Sequence, residues 1–308
     1  MRIAYVLSKT FDYDRLIAGD AGSAFAEDYD LPVISLDRLA AERYDMAVID
    51  QRFQPDELPT LRAAISDNRH ATFVLRVCDP FWEHTQNHWW YRFVLEMLDT
   101  PRVHVMLNYQ PSEITALMAT RARRSQYVFA PYVYRPEKEV GVDHQKRSHR
   151  VLFSGALNSA LYPLRTQMQR IASAWPPLRA MSNTLRHPGY TDIGQTQRHE
   201  CIGDSYIAEL AKFRFAAVCS SRCRLEFLKY REFAYAGVLP VGDMPATLLD
   251  CPPDSWVPWR RNFVALTRAI KMMSDTAARA ERFRRFMQNR RNVQEMRARV
   301  REQFARLG

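Results

Sequence analysis

YIAELAKFRFAAVCSSRCRLEFLKYREFAYAGVLPVGD, residues 206–243, decides the fold. A helical segment leads into a short buried strand at 215–219, then into a polar bend at Ser220, Ser221 and Arg222. A second helix follows over 228–236 and stops at Gly237, which hands over to an apolar strand at 238–241. A glycine just past a helix end predicts a left-handed cap there. Lys229 and Glu232, three residues apart, share one face of this helix, and Arg224 lies upstream in the bend. An acid and a base beside the C-terminal end of a strand are placed to hold a ligand at the edge of an α/β sheet.

The same alternation extends outward in both directions. In the first half, buried-strand runs fall at residues 2–7, 31–36, 46–50, 71–77 and 104–107, and a helix is predicted over 55–65. Strands separated by helical segments predict right-handed βαβ units and a mostly parallel sheet. After residues 127–134 the text turns polar, RPEKEVGVDHQKRSH, with Pro136 and Gly141 as breakers. A new strand begins at 150–154 and a helix at about 163–174. The expected architecture is α/β with two Rossmann-like domains facing across a cleft. Their bounds are 1–135, a linker at 136–149, 150–261, and basic C-terminal helices over 262–308.

Composition agrees with two ordinary cores. The chain has 308 residues, 47% of them apolar, with 16 Phe, 14 Tyr and 6 Trp, which argues against disorder. No run of about 18 apolar residues is present, and the opening MRIAYVLSKTFDYD reads as a strand rather than a signal peptide. A cytoplasmic protein is expected, peripheral at most on the inner membrane face. Five scattered cysteines predict free thiols, and the Cys219–Cys223 spacing lacks a second pair for zinc. The net charge is +10, and residues 279–308 hold ten Arg against three Glu. Such a tail suits an anionic membrane or DNA, or is a solvated face of packed helices.

At the head of the second domain stands FSGALNSALYPLR, residues 153–165. A strand, a glycine and polar residues before a helix aim backbone N–H groups at an anion such as a diphosphate. Arg165 can add a bidentate phosphate contact. Any βα turn can carry such a glycine, and the loop is neither a Walker loop nor GxGxxG.

Taken together, the strand–SG–loop–helix order, Y-x-x-x-L-A-K-F-x-F and K-Y-R-E-F-A-Y-A-G-V-L-P-V resemble the C-terminal domain of GT-B glycosyltransferases of the family 1 and family 4 type. The resemblance covers about residues 150–245 by motif and the first domain by architecture only. It implies a nucleotide-sugar, UDP- or GDP-linked, as co-substrate, with no further cofactor and no metal. It implies Glu232 as the carboxylate for the donor sugar or its ribose. Lys229 or Arg224 becomes a phosphate partner, and Ser154, Gly155 and Asn158 the diphosphate loop, with Arg165 and Tyr230 also on the donor side. Many retaining members carry a second Glu eight positions before the first. Here that position is Arg224, and Glu226 is out of register, so retention and inversion both stay open. Without the A-x-G-x-x-P-V that follows, Lys229–Glu232 reads as a surface ion pair worth a few tenths of a kcal/mol.

In the first domain, RVCDPFWEHTQNHWWYRF at residues 76–93 places Asp79 just after the fourth strand, with Glu83, His84 and His88 in the next turns. An inverting enzyme needs a carboxylate or His to take the acceptor proton, which makes Asp79 the first candidate and His84 the second. The interleaved Trp and Tyr can stack on a sugar or a base, or simply fill a core. His84 and His88 at i,i+4 suggest a metal only if a third ligand exists, and none is indicated.

These readings converge on an enzyme that transfers a hexosyl or pentosyl group to an acceptor hydroxyl, with Arg and Lys in place of a metal. The acceptor is a cell-surface or lipid-linked glycan, or alternatively a hydroxymethylated base in DNA. A non-catalytic nucleic-acid-binding α/β protein is the reading from another class. The chain shows no helix-turn-helix, zinc-finger or RNP signature for it.

Overall fold

The apolar runs of the first half become parallel strands. In the computed structural model, β1 (Ile3–Leu7), β2 (Val33–Ser35), β3 (Met46–Ile49), β4 (Thr72–Val77), β5 (Val103–Leu107) and β6 (Tyr127–Phe129) form one sheet, ordered β2-β1-β3-β4-β5-β6. Every neighbouring pair is parallel. The structure describes residues 1–11, 19–77, 88–108, 127–141, 143–155, 159, 162–174, 176–185, 203–220, 224–259 and 274–307. By its internal contacts the chain divides into two units, Met1–Val133 with Val293–Gly308, and Tyr134–Asn292.

Successive strand residues face opposite sides of a sheet, so a parallel sheet covered on both faces needs continuous apolar runs. The central strands supply them: β3 and β4 are buried at every position. Val6, Ile49, Leu75 and Leu107 join one core with side chains of α2 (Leu36–Ala41), α3 (Leu58–Asp67) and α4 (Trp89–Met97), following α1 (Gly19–Asp28). Their neighbours Tyr5, Val48, Val74 and Met106 point to the other face and meet Phe25 and Tyr29 of the α1 segment. The helix expected over 55–65 runs from Leu58 to Asp67, with Glu57 at its N-cap and a proline in its first turn.

The second unit repeats the plan. β7 (Ser148–Ser154), β8 (Ser182–Leu185), β9 (Phe213–Val218), β10 (Leu239–Gly242) and β11 (Val257–Pro258) lie in the order β11-β10-β9-β7-β8, again all parallel. Its helices are α5 (Pro163–Ala174), α6 (Pro176–Ala180), α7 (Asp204–Leu210), α8 (Leu228–Ala236) and α9 (Thr276–Arg290). Sequence patterning passes over β8 because it is a short edge strand of Ser, Asn, Thr and Leu with no fully buried position. The fold is α/β, with two Rossmann-like parallel sheets.

Helix α8 ends as its glycine predicts. Gly237 adopts φ 59° and ψ 41°, its N–H reaches back to the Phe233 and Ala234 carbonyls, and Val238 N bonds Phe233 O at 3.0 Å. Two arginines satisfy carbonyls at this end: Arg147 Nη1 donates to Ala236 O and Gly237 O, and Arg284 Nε to Ala234 O. Positive charge there complements the helix dipole and fixes the helix that carries Lys229 and Glu232. At the end of β10, Gly242 approaches β9 so closely that a Cβ would overlap the Val218 carbonyl oxygen.

The basic tail is built into both units. Helix α9 packs Phe283 and Met287 into the second core, and α10 (Val293–Ala305) packs Met296, Val300 and Phe304 into the first. All ten of its arginines make a hydrogen bond or ion pair within the chain, among them Arg282 with Asp254, Arg301 with Asp30, Arg291 with Glu226, and Arg297 with the Asp28 carbonyl. The arrangement is that of Arg-rich helices packed on their apolar sides. Among the described residues no helix is long and apolar enough to cross a membrane, and Cys219 and Cys251 are free buried thiols.

Candidate functional site

In the second sheet the strand order reverses at β7: β8 lies on one side of it and β9 on the other. The crevice between the C-terminal ends of β7 and β9 is therefore the topological switch point, where open α/β sheets bind ligands. Ser154 is the last residue of β7, and Gly155 turns away from it at φ 92°. A Cβ on Gly155 would lie 2.7 Å from Arg165 Nη1 and 2.8 Å from Lys229 Cε. Two cationic side chains thus flank one glycine turn, and a Cβ there would push their ends aside at a φ that favours glycine.

Arg165 comes from the first turn of α5 and is 3% exposed. Its Nη1 donates to Ser154 O at 3.4 Å, and its guanidinium carbon lies 4.1 Å from the centre of the Tyr162 ring. Its Nε has no hydrogen-bond partner among the described residues. A buried guanidinium with an unused donor is ready to receive an anion.

Lys229, half-buried on α8, donates to Ser154 Oγ at 3.2 Å and to the Tyr206 hydroxyl at 2.8 Å. The two hydroxyls are 2.6 Å apart, so the three polar atoms form a triangle. Burial draws the Lys229 pKa down to about 7; Glu232 one turn along opposes the shift and Arg165 adds to it. Burial likewise pushes the Tyr206 phenol well above its ordinary value, and the charge of Glu232 acts in the same sense. Glu232 itself is half-buried.

The remaining expected residues are placed differently. Tyr230 is fully buried in the α8 core and its hydroxyl donates to the Asp243 carbonyl at 2.9 Å. Arg224 is exposed in the loop after β9 with φ 57°, a costly left-handed conformation, and its carbonyl accepts from Ala246 N. Its charge reaches Asp243, whose carboxyl burial raises above its usual range against hydrogen bonds from Ser220 N and Oγ at 2.9 and 2.6 Å. Glu226 is committed elsewhere: Arg291 clamps it through Nε at 3.0 Å and through Nη2, and Thr247 Oγ1 donates to it at 2.6 Å. Asn158, Asp79 and His84 lie outside the described residues.

Sequence reasoning missed Tyr206 as a site residue. It opens the Y-x-x-x-L-A-K-F-x-F run and sits in the first turn of α7, the element before β9. Its hydroxyl chemistry is invisible until α7 and α8 are brought together.

The first unit has its own switch point between β1 and β3. Glu57 occupies it, accepting from Ser8 Oγ at 2.5 Å, Lys9 N at 2.8 Å and Gln54 N at 2.9 Å. Burial opposes its ionisation, yet these hydrogen bonds win and the pKa falls below the usual range. Close by in the sheet, Asp50 pairs with Arg76 at 3.2 Å and with the Tyr5 hydroxyl at 2.5 Å. In the aromatic segment, Trp90 is buried with Nε1 on Arg76 O, and His88 caps α4 through Nδ1, accepting from Trp90 N. Those two residues are structural.

No protein-family model matches the chain, and no curated protein matches it in sequence. Solved structures do. The HepE protein of Anabaena in complex with UDP-glucose aligns over 99% of this chain and 100% of its own, with TM-score 0.65 and 12% identity. AviGT4, a glycosyltransferase involved in avilamycin A biosynthesis, aligns over 100% and 98%, with TM-score 0.52 and 11% identity. Sucrose-phosphate synthase from Thermosynechococcus elongatus aligns over 98% and 80%, with TM-score 0.53 and 9% identity. The fold is of the GT-B glycosyltransferase type.

Proposed function

We propose that this protein is a glycosyltransferase that moves a sugar from a nucleoside diphosphate sugar to an acceptor hydroxyl. The carrying observation is the Gly155 turn at the β7/β9 switch point, held between Arg165 and Lys229. Its chemistry fits a diphosphate: backbone N–H groups at a glycine turn, one buried guanidinium and one amine. The UDP-glucose in the HepE structure supports a uridine donor, with GDP-sugars the other choice.

In this reading Arg165 and Lys229 take the charge that develops on the departing diphosphate, the part a metal plays in other transferases. Ser154, Gly155 and Asn158 form the diphosphate loop. Glu232, on the same helix face, accepts hydroxyls of the sugar or ribose. Asp79, or His84 after it, takes the acceptor proton. Arg224 replaces the second Glu of many retaining enzymes and neighbouring Glu226 is held by Arg291, which favours inversion. The acceptor is a glycan hydroxyl, cell-surface or lipid-linked.

The test is transfer itself. Incubation with UDP- and GDP-sugars and a panel of glycan acceptors should release nucleoside diphosphate in an acceptor-dependent manner, with Glu232→Ala reducing it at least tenfold. Transfer to hydroxymethylated DNA instead would reassign the acceptor. No release with any donor, or full activity in Glu232→Ala, would sink the proposal.

A further inference from the structure

The Lys229–Tyr206–Ser154 triangle has hydrogen-bond valences that close in two protonation states. With a neutral amine, the ring runs one way: Tyr206 O–H donates to Nζ, Nζ–H to Ser154 Oγ, and Ser154 O–H to the Tyr206 oxygen. With an ammonium, Nζ donates to both hydroxyl oxygens, at the 2.8 and 3.2 Å separations present, and the outward-pointing donors increase by one. Among the described residues the groups around Lys229 are the Ser154 and Tyr206 hydroxyls, the Arg165 guanidinium across Gly155, and Glu232 on its own helix. Among the described residues its hydrogen bonds go to two neutral oxygens, and the nitrogen lies 4.6 Å from the centre of the Tyr206 ring.

We propose that binding of the donor's diphosphate is coupled to capture of one proton by Lys229, with Tyr206 as the positioning residue that holds the amine to receive it. This inference rests on the diphosphate reading of the site. The proton comes from solvent and bonds to the Nζ lone pair; no other bond is made or broken. An incoming anion beside the amine favours its charged form, so the proton and the diphosphate bind cooperatively. Burial, with the Arg165 charge, brings the Lys229 pKa down to about 7, so the amine is half protonated near that pH. The sign follows: below that pH the amine is already charged and affinity is flat. Above it, each bound diphosphate takes up a proton, and affinity falls by about tenfold per pH unit until the bound-state pKa is passed.

The test is calorimetric titration of the full chain with UDP-glucose, whose doubly esterified diphosphate does not titrate near neutrality, in buffers of different ionisation enthalpy. At about pH 8.5 the wild type should take up close to one proton per UDP-glucose, and at about pH 6 almost none. Lys229→Arg, charged throughout, should bind UDP-glucose with no uptake and a flat pH profile. Tyr206→Phe opens the ring at the hydroxyl and should move the midpoint of the affinity–pH curve, which a purely structural role would leave in place. Binding with a buffer-independent enthalpy at pH 8.5, or the same uptake in Lys229→Arg, would overturn proton capture while leaving the site reading intact. No binding of a UDP- or GDP-sugar at any pH would overturn the site reading, and this inference with it.

Discussion

Glu226 and Arg291 are joined across 65 residues by a buried, two-pronged ion pair, each side chain less than a tenth exposed. Glu226 directly precedes Phe227, the N-cap of α8, and Arg291 directly follows α9. Their pair therefore ties the entry of the helix that bears Lys229 and Glu232 to the C-terminal end of α9. Removing one partner of such a pair leaves a buried charge alone.

Glu226→Gln is expected to destabilise the protein by about 3–5 kcal/mol. Urea unfolding followed by circular dichroism reads the effect. The double variant Glu226→Gln, Arg291→Met should recover a large part of it, since no uncompensated charge remains. If the double variant were as unstable as the sum of the singles, the pair would not be coupled.

Gly155→Ala places a methyl group against Arg165 and Lys229 at a positive φ. The expected cost is about 1–3 kcal/mol of stability and a loss of nucleotide affinity, because both cations must move to make room. Thermal melting with and without UDP separates the two effects. A ligand-induced rise in Tm equal to the wild type's would show that the turn is not part of the site.

His144 gives the pH prediction. Burial first, then the charges of Arg147 and Arg214, bring its pKa down to about 4, and Nε2 lies 2.7 Å from Thr276 Oγ1. The unfolded chain binds a proton near pH 6.5 and the folded chain only near 4, so the unfolded state holds more protons between those values. This contribution to stability is complete above about pH 6.5 and is lost as pH falls toward 4. His144→Gln should flatten that part of the stability–pH curve; an unchanged slope would contradict it.

Sequence patterning carried the architecture further than the chemistry. The runs that became β1, β3, β4, β7, β9 and β10 are continuous and apolar because both sheet faces are covered, and Gly237 announced the end of α8 through its backbone freedom. The strand β8 was not legible, since an exposed edge needs no apolar run. At the site, Gly155, Arg165 and Lys229 were visible as a loop and two cations, but their convergence depends on the β7/β9 switch. Tyr230 shows the converse. It lies beside Lys229 in sequence, yet helical geometry turns it into the core, while Tyr206 from another helix meets the amine.

The central claim is tested most directly by calorimetric titration of UDP-glucose into the wild type and Arg165→Ala near neutral pH. The account predicts saturable one-site binding in the wild type. Arg165→Ala should bind about 10- to 100-fold more weakly, the loss of one or two charge-assisted hydrogen bonds. Equal affinity in the two proteins would contradict the placement of the diphosphate at the Gly155 turn.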